Sequence, residues 1–368
     1  MLTANILEIL CGFQIVKGKP SKQVLAKLIT ALVEDENVQF HQIAKNLPSK
    51  AQKASRTKQV KRFMSGAVFN YQALMAWLFS CLPSGKITLC IDRTNWQSRK
   101  QAVNILAVTA YSHGVGFPLA FRLLDKKGNS HQQERIDLLK EVLQIVPPER
   151  IGKVIADREF IGKKWLRFMT MQGIVFCVRI PSHHKINIDG VEKTGEVWSK
   201  EGFRCTDRRA TIYGMDLTLS MQMTKDKNGR KDYLIVVSNL MKSGLLSSYR
   251  KRWSIEVFFQ SLKGRGFNLE ATHLTKLDRL ERLFAVVCMA FAVCHLFGVA
   301  FHEKVQNIKV KNHGYRENSY FRKGKDLLQE HFCTRPRQVG NEIKGLWKKF
   351  WRGISSKTPS EKLVFSWL

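Results

Sequence analysis

The stretch KVIADREFIGKKWLRFMTMQGIVFCVRI, residues 153–180, decides the fold. It begins with an apolar, β-branched run at 153–157, continues with a helix-forming segment at about 161–171, and ends with a second β-rich run at 173–180. A strand, a helix and another strand in succession predict two parallel strands in one sheet. The sequence therefore predicts an α/β fold built around this unit.

Upstream of this unit the chain is predicted to form three strands followed by a helix. A helix is predicted from about His131 to Ile145, where Pro147 and Pro148 end it. Before it, short polar turns join three β-rich runs, and short links favour an antiparallel meander. A meander followed by strand, helix and strand predicts a mixed sheet of the ribonuclease H-like type. The three runs are KITLCID (86–92), NILAVTAY (104–111) and FPLAFRLL (117–124).

Two acidic residues stand where this fold would place metal ligands. Asp92 is predicted to end the first strand, in CIDRTNW, and Asp157 to end the fourth, in VIADREF. The strand backbone would hold each carboxylate rigidly beside the sheet, which is a common position for a site in α/β folds. A turn or helix-capping role is the alternative for each aspartate taken alone.

A third acidic residue lies in YRKRWSIEVFFQSLK, residues 249–263, which contains no Gly or Pro and is predicted to be one helix. An aromatic residue, a carboxylate and two cations on one helix face suit a metal ligand flanked by phosphate-binding groups. An exposed, salt-bridged face is the alternative. The helix predicts that this stripe points toward Asp92 and Asp157. At about 100° per residue the stripe consists of Tyr249, Arg252, Glu256 and Lys263.

Residues 1–75 are predicted to be helical, and the helix in AQKASRTKQVKRFM, residues 51–64, is strongly basic. Short helices followed by a basic one suggest a DNA reader similar to a helix-turn-helix. A basic helical bundle without DNA contact is the alternative. The cations that would contact DNA are Lys53, Arg56, Lys58, Lys61 and Arg62.

Residues 181–240 are predicted to form a β-rich insertion, with strands at GEVW (195–198), 203–214, 216–223 and 232–240.

The basic tail contains Trp347 and Trp351 among its cations, which suits either stacking on nucleic acid or packing onto the body. The predicted organisation is a helical DNA-binding domain at 1–75, the first part of a catalytic core at 76–180, the insertion at 181–240, the second part of the core at 241–310 and a basic helical region at 311–368. The tail cations are Arg322, Lys323, Lys325, Arg335, Arg337, Lys344, Lys348, Lys349 and Arg352.

The composition indicates the class of partner and the compartment. A formal net charge of +31 and a pI near 10.0 favour a polyanion, with nucleic acid ahead of an acidic membrane surface. The eight cysteines are scattered and form no C-x-x-C pair, so we expect free thiols in a reducing compartment. No signal-peptide pattern is visible at the N-terminus. The apolar run 283–300 has the length of a membrane span, but a buried helix on the sheet is the favoured interpretation.

Three motifs in order give the chain a family resemblance. IDRTNW, IADREF and the Tyr249-Arg252-Glu256-Lys263 spacing resemble the DDE transposases of insertion-sequence family four, whose signature is a Y-R-E-K box on the helix of the last catalytic acid. The resemblance covers about residues 86–325 and includes LLDKKGNSHQQERIDLL and SYFRKGKDLLQ. It implies cut-and-paste DNA transposition, with two Mg²⁺ ions, or Mn²⁺ in their place, bound by Asp92, Asp157 and Glu256.

The same resemblance implies roles for further residues and partners. Tyr249, Arg252 and Lys263 would hold DNA phosphates, and Trp198, the only tryptophan of the insertion, would stack on a flipped base in a hairpin step. The partners would be double-stranded DNA at the element's ends and target, together with a second copy of the chain, and no membrane. The location would be the bacterial cytoplasm, at the nucleoid.

Two other functions remain open at this point. A transposase-derived DNA-binding protein without catalysis would not need Asp92, Asp157 and Glu256 together. A ribonuclease H-like nuclease that cuts DNA without joining it would share the three acids, and the Y-R-E-K stripe favours the transposase over it.

Overall fold

The computed structural model describes residues 1–98, 101–225, 228–229, 231–240, 244–312, 314, 316–334 and 341–355. The chain divides into two compact units. The sheet unit comprises Gly85–Thr94 and Asn104–Phe258. The helical unit comprises Met1–Ser84, Asn95–Val103 and Phe259–Leu368.

The strands of the described residues form one mixed sheet. They are β1 Ile87–Ser98, β2 Gln101–Ser112, β3 Val115–Leu123, β4 Ile151–Ala156, β5 Phe176–Arg179, β6 Lys185–Ile188, β7 Val191–Thr194, β8 Cys205–Ile212, β9 Met215–Lys225 and β10 Lys231–Ser238. Their order across the sheet is β3-β2-β1-β4-β5-β10-β9-β8-β6-β7.

The helices that the structure describes fall before, between and after these strands. They are α1 Leu2–Phe13, α2 Lys19–Glu34, α3 Phe40–Lys45, α4 Lys53–Gly66, α5 Tyr71–Ser80, α6 Gln132–Leu143, α7 Lys163–Met171, α8 Gly195–Lys200, α9 Leu245–Arg250, α10 Trp253–Leu262, α11 Leu277–Lys304, α12 Tyr320–Leu328 and α13 Asn341–Ser355. Short 3-10 turns occur at Pro148–Arg150 and Leu269–Ala271, and a π-helical turn at Gln329–Thr334.

The centre of the sheet has the pairing that the sequence predicts. β1 pairs with β4 in parallel up to Ile91 and Ala156, and β4 pairs with β5 in parallel. β2 and β3 are antiparallel, and β2 also neighbours β1. Val154, Ile155 and Ala156 of β4 are fully buried, as expected for a parallel strand covered on both faces. The mixed α/β fold with a ribonuclease H-like core is therefore confirmed.

The insertion extends this sheet. β10 pairs antiparallel with β5, and β9, β8, β6 and β7 follow it outward. The strand predicted at GEVW is wrong, because these residues begin α8. Thr194 Oγ1 accepts a 3.3 Å hydrogen bond from the Val197 amide and caps the helix, and Glu196 pairs with Lys200 one turn later. Local capping outweighs the β preference of Val197 and Trp198.

The apolar run of the sequence forms the core of the helical unit. Its most apolar 18-residue window, within α11, is completely buried although the helix is long and apolar enough to cross a membrane. α11 packs closely on α12 at two glycines. A Cβ atom on Gly298 would lie 1.8 Å from the Tyr320 carbonyl oxygen, and one on Gly324 would lie 1.8 Å from that of Cys294. The prediction of a buried helix is confirmed, with helices rather than the sheet as its neighbours in this unit.

The basic tail uses its aromatic residues for packing. Trp347 stacks on Phe332 at 3.6 Å between ring centroids, and both Trp347 and Trp351 are buried. Lys325 is also buried and donates to Glu36 at 3.1 Å. Of the two alternatives for the tail tryptophans, the structure favours packing onto the body. Arg335 and Arg337 lie outside the described residues.

The cysteines whose side chains the structure describes are all free thiols. They are Cys11, Cys81, Cys90, Cys177, Cys205, Cys288 and Cys294. Most are buried, as the apolar runs around them predict.

Candidate functional site

Asp92 and Asp157 lie side by side in the sheet unit. Ile91 and Ala156 are the last residues that β1 and β4 pair, and the two aspartates follow them directly. Asp157 comes after the end of β4, as predicted. Asp92 does not end its strand, because β1 continues to Ser98 alongside β2. The pairing of β1 with β4 ends just before Asp92. Both carboxylates therefore still lie at the point where two parallel strands separate.

Arg252 and Tyr249 connect these aspartates to the third acid. Arg252 Nη1 lies 3.3 Å from Asp92 Oδ2, and Nη2 lies 2.5 Å from Glu256 Oε1. The Tyr249 hydroxyl donates a 2.9 Å hydrogen bond to Asp157 Oδ1, and the Arg252 guanidinium lies 5.9 Å from the Tyr249 ring centroid. The structure therefore brings five predicted site residues into one connected cluster.

The segment that carries three of these residues is two helices, so the prediction of one continuous helix is wrong. Between α9 and α10 the amides of Arg252 and Ile255 donate to the carbonyl oxygens of Tyr249 and Arg252, at 2.9 and 3.1 Å. These bonds reach three residues back instead of four, which tightens the chain into a turn. Tyr249 and Arg252 consequently precede α10, and Glu256 lies in its first turn.

Close packing fixes the N-terminal part of α10 on the sheet. A Cβ atom on Gly116 of β3 would lie 3.1 Å from the Ile255 Cα, so the absence of a side chain at Gly116 lets the helix approach. On β1, Cys90 Sγ lies 3.5 Å from the Lys251 carbonyl oxygen and 3.6 Å from Ser254 Oγ. Burial raises the pKa of the Cys90 thiol to about 11, which keeps it uncharged in this contact. Glu256 is thus placed by its neighbour Ile255.

The cluster is only slightly exposed, and this shapes its electrostatics. The exposed fraction of the side chain is 15% for Arg252, 17% for Asp92 and 29% for Glu256. Burial raises the pKa of Asp92 to about 6, and the Asp157 and Glu256 carboxylates contribute to the rise. The backbone N–H of Arg93 and the Arg252 guanidinium act against it.

The two groups that bind the carboxylates keep their protons. Burial raises the pKa of Tyr249, and the Asp157 charge raises it further, so the phenol remains a donor. Burial lowers the pKa of Arg252, but Tyr249 and the three carboxylates outweigh burial and raise it overall. The carboxylates of the site therefore need a positive charge beside them.

A second charged pair lies beside the aspartates, and the sequence did not single it out. Arg93 follows Asp92, Glu159 lies two residues after Asp157, and their side chains form a two-pronged ion pair at 3.0 and 3.1 Å. The sequence feature that could have indicated this ion pair is the opposite charge of Arg93, the third residue of IDRTNW, and Glu159, the fifth residue of IADREF.

Lys263 lies outside the sheet unit. In the helical unit its ammonium pairs with Glu270 at 2.7 Å, contacts the Asn95 carbonyl oxygen at 3.3 Å and lies 5.5 Å from the Trp96 ring centroid. It follows the end of α10 at Leu262.

Four of the five cations predicted on the third helix are exposed on α4: Lys53, Lys58, Lys61 and Arg62. Arg56 is half-buried, and its Nη1 donates to the carbonyl oxygens of Lys45 at 2.9 Å and Leu47 at 3.4 Å. Arg56 therefore holds the chain at the end of α3, whereas the other four side chains are available to an anionic partner.

Trp198 of the insertion is half-buried and already has partners. Its indole N–H donates to the Ile186 carbonyl oxygen at 3.1 Å, and its ring lies 5.0 Å from the ring of Phe203. The Lys193 ammonium lies 4.9 Å from its ring centroid.

The donor set fits a hard divalent cation. Three carboxylates supply only oxygen ligands, which suit Mg²⁺ or Mn²⁺ better than Zn²⁺. Positive charge next to Asp92 would favour its ionised form and offset the effect of burial. Among the described residues no three His, Cys, Asp or Glu side chains are already gathered as a ligand group, and the Arg252 guanidinium contacts two of the acids.

Comparison with known proteins gives a family and remote structural likenesses. The profile of the family described as "Transposase DDE domain" matches residues 83–292, which is more than half of the chain. Among solved structures, the chain is similar to a piggyBac transposase seen by cryo-electron microscopy in a synaptic complex with hairpin DNA. The two are 11% identical with a TM-score of 0.42, over 96% of this chain and 82% of that chain. No curated protein matches the sequence. The profile match spans Asp92, Asp157 and Glu256, and the chain belongs to the transposase DDE domain family.

Proposed function

We propose that this protein is a cut-and-paste DNA transposase of the insertion-sequence family four type. It binds the terminal inverted repeats of its element, cleaves the DNA ends and joins them to target DNA. The observation that carries the proposal is the cluster of Asp92, Asp157 and Glu256, connected through Arg252 and Tyr249, in a chain of the transposase DDE domain family.

In this proposal Asp92, Asp157 and Glu256 hold two Mg²⁺ ions, for which Mn²⁺ can substitute. Such ions supply Lewis-acid activation of an attacking oxygen and stabilise the leaving oxygen of a phosphodiester. The chain's own contribution is to hold the carboxylates at the end of the β1–β4 ladder and in the first turn of α10. Because Asp92 is largely buried, the protein also keeps bulk water away from one side of the site.

The polar groups around the acids bind the DNA backbone. Arg252 presents a planar fork that suits a phosphate, and Tyr249 presents a protonated hydroxyl. In the DNA-free protein both groups are engaged with the carboxylates, so phosphate binding requires them to exchange partners. Lys263 belongs to the segment Phe259–Leu368 of the helical unit and contributes a point charge to DNA binding.

Two further contacts belong to the proposal. Lys53, Lys58, Lys61 and Arg62 of α4 bind the element's inverted repeats, with Arg56 supporting the end of α3. If the cleavage passes through hairpin ends, Trp198 stacks on the flipped base. That step requires the Lys193 ammonium to leave the ring, because it lies 4.9 Å from the ring centroid.

The assembly and location follow from the reaction. Two DNA ends must be brought together, so the active species is a homodimer on double-stranded DNA. We expect it in the bacterial cytoplasm, at the nucleoid, because its substrate is DNA and the described cysteines are free thiols.

One assay tests the function directly. The protein is incubated with Mg²⁺ and a DNA fragment bounded by the inverted repeats that flank its gene, with and without a target plasmid. We expect excision of the fragment and its insertion into the target. Binding alone would identify a DNA-binding protein without catalysis, and cuts without insertion would identify a nuclease that does not join strands.

A further inference from the structure

A nearly buried ion pair joins the two chain segments that carry the aspartates. Arg93 Nε lies 3.0 Å from Glu159 Oε1, and Arg93 Nη2 lies 3.1 Å from Glu159 Oε2. The side chains are 11% and 18% exposed. A planar guanidinium that meets both oxygens of a carboxylate fixes orientation as well as distance.

Four of the five N–H groups of the Arg93 guanidinium donate to other residues of the sheet unit. Its Nη1 donates to Asn104 Oδ1 and its Nη2 also donates to Asn129 Oδ1, each at 3.1 Å. Every guanidinium nitrogen is therefore engaged inside the sheet unit. Arg93 consequently differs from Arg252, whose two Nη atoms contact the acids of the site.

Glu159 is equally committed. Besides Arg93, its Oε1 accepts hydrogen bonds from the amide and the hydroxyl of Ser130, both at 3.2 Å. Ser130 Oγ in turn accepts from Arg135 Nε at 2.8 Å, and Arg135 is buried. These four hydrogen bonds hold the Glu159 carboxylate against Arg93 and Ser130.

The position of the pair sets the approach of the two aspartates. Asp92 precedes Arg93, whose amide also donates to Asp92 Oδ1 at 2.7 Å, and Asp157 starts the turn that carries Glu159. Behind the aspartates β1 and β4 are fixed by their ladder, but beyond Ile91 and Ala156 that ladder has ended. The two carboxylates repel each other, and a direct link between the segments that follow them opposes their separation.

We propose that Arg93 and Glu159 form a positioning clamp, which holds Asp92 and Asp157 at the separation needed to share divalent metal. The clamp rests on the proposed function, since it concerns the metal affinity of the same site. Groups that orient metal ligands typically change metal affinity or activity by about 10- to 100-fold when they are replaced.

The experiment measures Mn²⁺ binding to the full chain by electron paramagnetic resonance, without DNA, at a temperature well below the melting transition. Glu159→Gln keeps the shape but loses the charge, and Arg93→Lys keeps the charge but loses the fork. We expect each to raise the Mn²⁺ concentration for half-saturation by about 10- to 100-fold. The double variant should be no worse than the poorer single variant, because the two residues act as one unit.

A control is the Arg122–Glu141 pair, which joins β3 to α6 in the sheet unit. Glu141→Gln removes the same charge from an ion pair with Arg122, and its Mn²⁺ curve should coincide with that of the wild type. Asn129→Ala removes one hydrogen bond of Arg93 and leaves the ion pair, so it should shift the midpoint in the same direction by less. It provides the test if the other variants do not fold.

The outcomes separate the clamp from the function. Folded Glu159→Gln and Arg93→Lys proteins, or a folded Asn129→Ala protein in their place, that bind Mn²⁺ with the wild-type midpoint would overturn the clamp alone. A wild-type protein that binds no Mn²⁺ and does not nick plasmid DNA in its presence would overturn the proposed function and the clamp with it. Weaker metal binding in the clamp variants, with Glu141→Gln unchanged, supports the clamp.

Discussion

Arg252 is the residue that compensates the charge of the site. Its guanidinium contacts Asp92 and Glu256 with 15% of its side chain exposed, and the neighbouring acids raise its pKa. Carboxylates this close to one another are costly to keep ionised unless a cation lies beside them. The residue therefore contributes to the stability of the sheet unit as well as to the proposed phosphate binding.

Replacement of Arg252 by Ala should reveal this compensation. In buffer with EDTA we expect the free energy of unfolding to fall by about 3 kcal/mol, because two partly buried carboxylates lose their partner. Saturating Mg²⁺ should restore part of the loss, since a metal that binds only the folded protein stabilises it. Thermal unfolding of wild type and variant with EDTA and with Mg²⁺ measures both effects. An equal melting-temperature gap in the two buffers would contradict the idea that metal and Arg252 neutralise the same acids.

At the scale of the element, α10 places Glu256 through a close contact with the sheet. Gly116 of β3 faces Thr109 and the backbone of Ile255, and a Cβ there would lie 2.6 Å from Thr109 Oγ1 and 3.1 Å from Ile255 Cα. The helix cannot approach in this way if the glycine carries a side chain. Glu256 would move with the helix.

We therefore expect Gly116→Ala to impair both stability and cleavage. Overpacking of this kind costs about 1–3 kcal/mol, and urea unfolding gives the value. Cleavage should fall further than the folded fraction does, since Glu256 shifts relative to the aspartates. Gly12→Ala is the control, because nothing lies within 4 Å of a Cβ in that part of α1 and Ala favours a helix. A Gly116→Ala protein with wild-type stability and cleavage would show that the contact does not place the helix.

The elements also show how far the sequence predicts the site. Asp92 and Asp157 could be found because apolar β-branched runs precede them, and strand periodicity is a local property. The break between α9 and α10 could not, because residues 249–263 contain no Gly or Pro. At this break Lys251 and Ser254 contact Cys90, which lies about 160 positions away in the chain.

Ion pairs between residues that are far apart in the sequence were the hardest to predict. Arg93 and Glu159 are 66 residues apart, and nothing in either motif alone indicates that they meet. The β propensity of Val197 and Trp198 also led to a wrong prediction of a strand at GEVW. Thr194 caps a short helix there. Capping and tertiary contacts decided these positions.

At the scale of the whole molecule, the charge is the dominant property. A net charge of +31 makes binding to a polyanion favourable and dependent on salt. General attraction of this kind does not select the element's ends. In our account that selection belongs to the exposed cations of α4.

Changing Lys53, Lys58, Lys61 and Arg62 to Ala tests this assignment. We expect lower affinity for the element's ends, and a slope of log K against log salt that is shallower by about 0.9 for each DNA phosphate that is no longer neutralised. The preference for these ends over unrelated duplex DNA should also decrease. The control removes the same charge from α6 and α7, where Lys140, Lys163, Lys164 and Arg167 are exposed. Equal loss of preference in the two sets, or none in the α4 set, would remove α4 from end recognition.

We propose that Asp92, Asp157 and Glu256 together form the metal site for DNA cleavage. The most direct measurement is the rate at which wild type, Asp92→Asn, Asp157→Asn and Glu256→Gln cut DNA bearing the element's ends in Mg²⁺, beside their affinity for the same DNA in EDTA. Loss of a metal ligand removes several kcal/mol of transition-state stabilisation, so we predict that each variant cuts about 10³-fold more slowly yet binds DNA as the wild type does. A variant that binds DNA and cuts it at the wild-type rate would contradict the account.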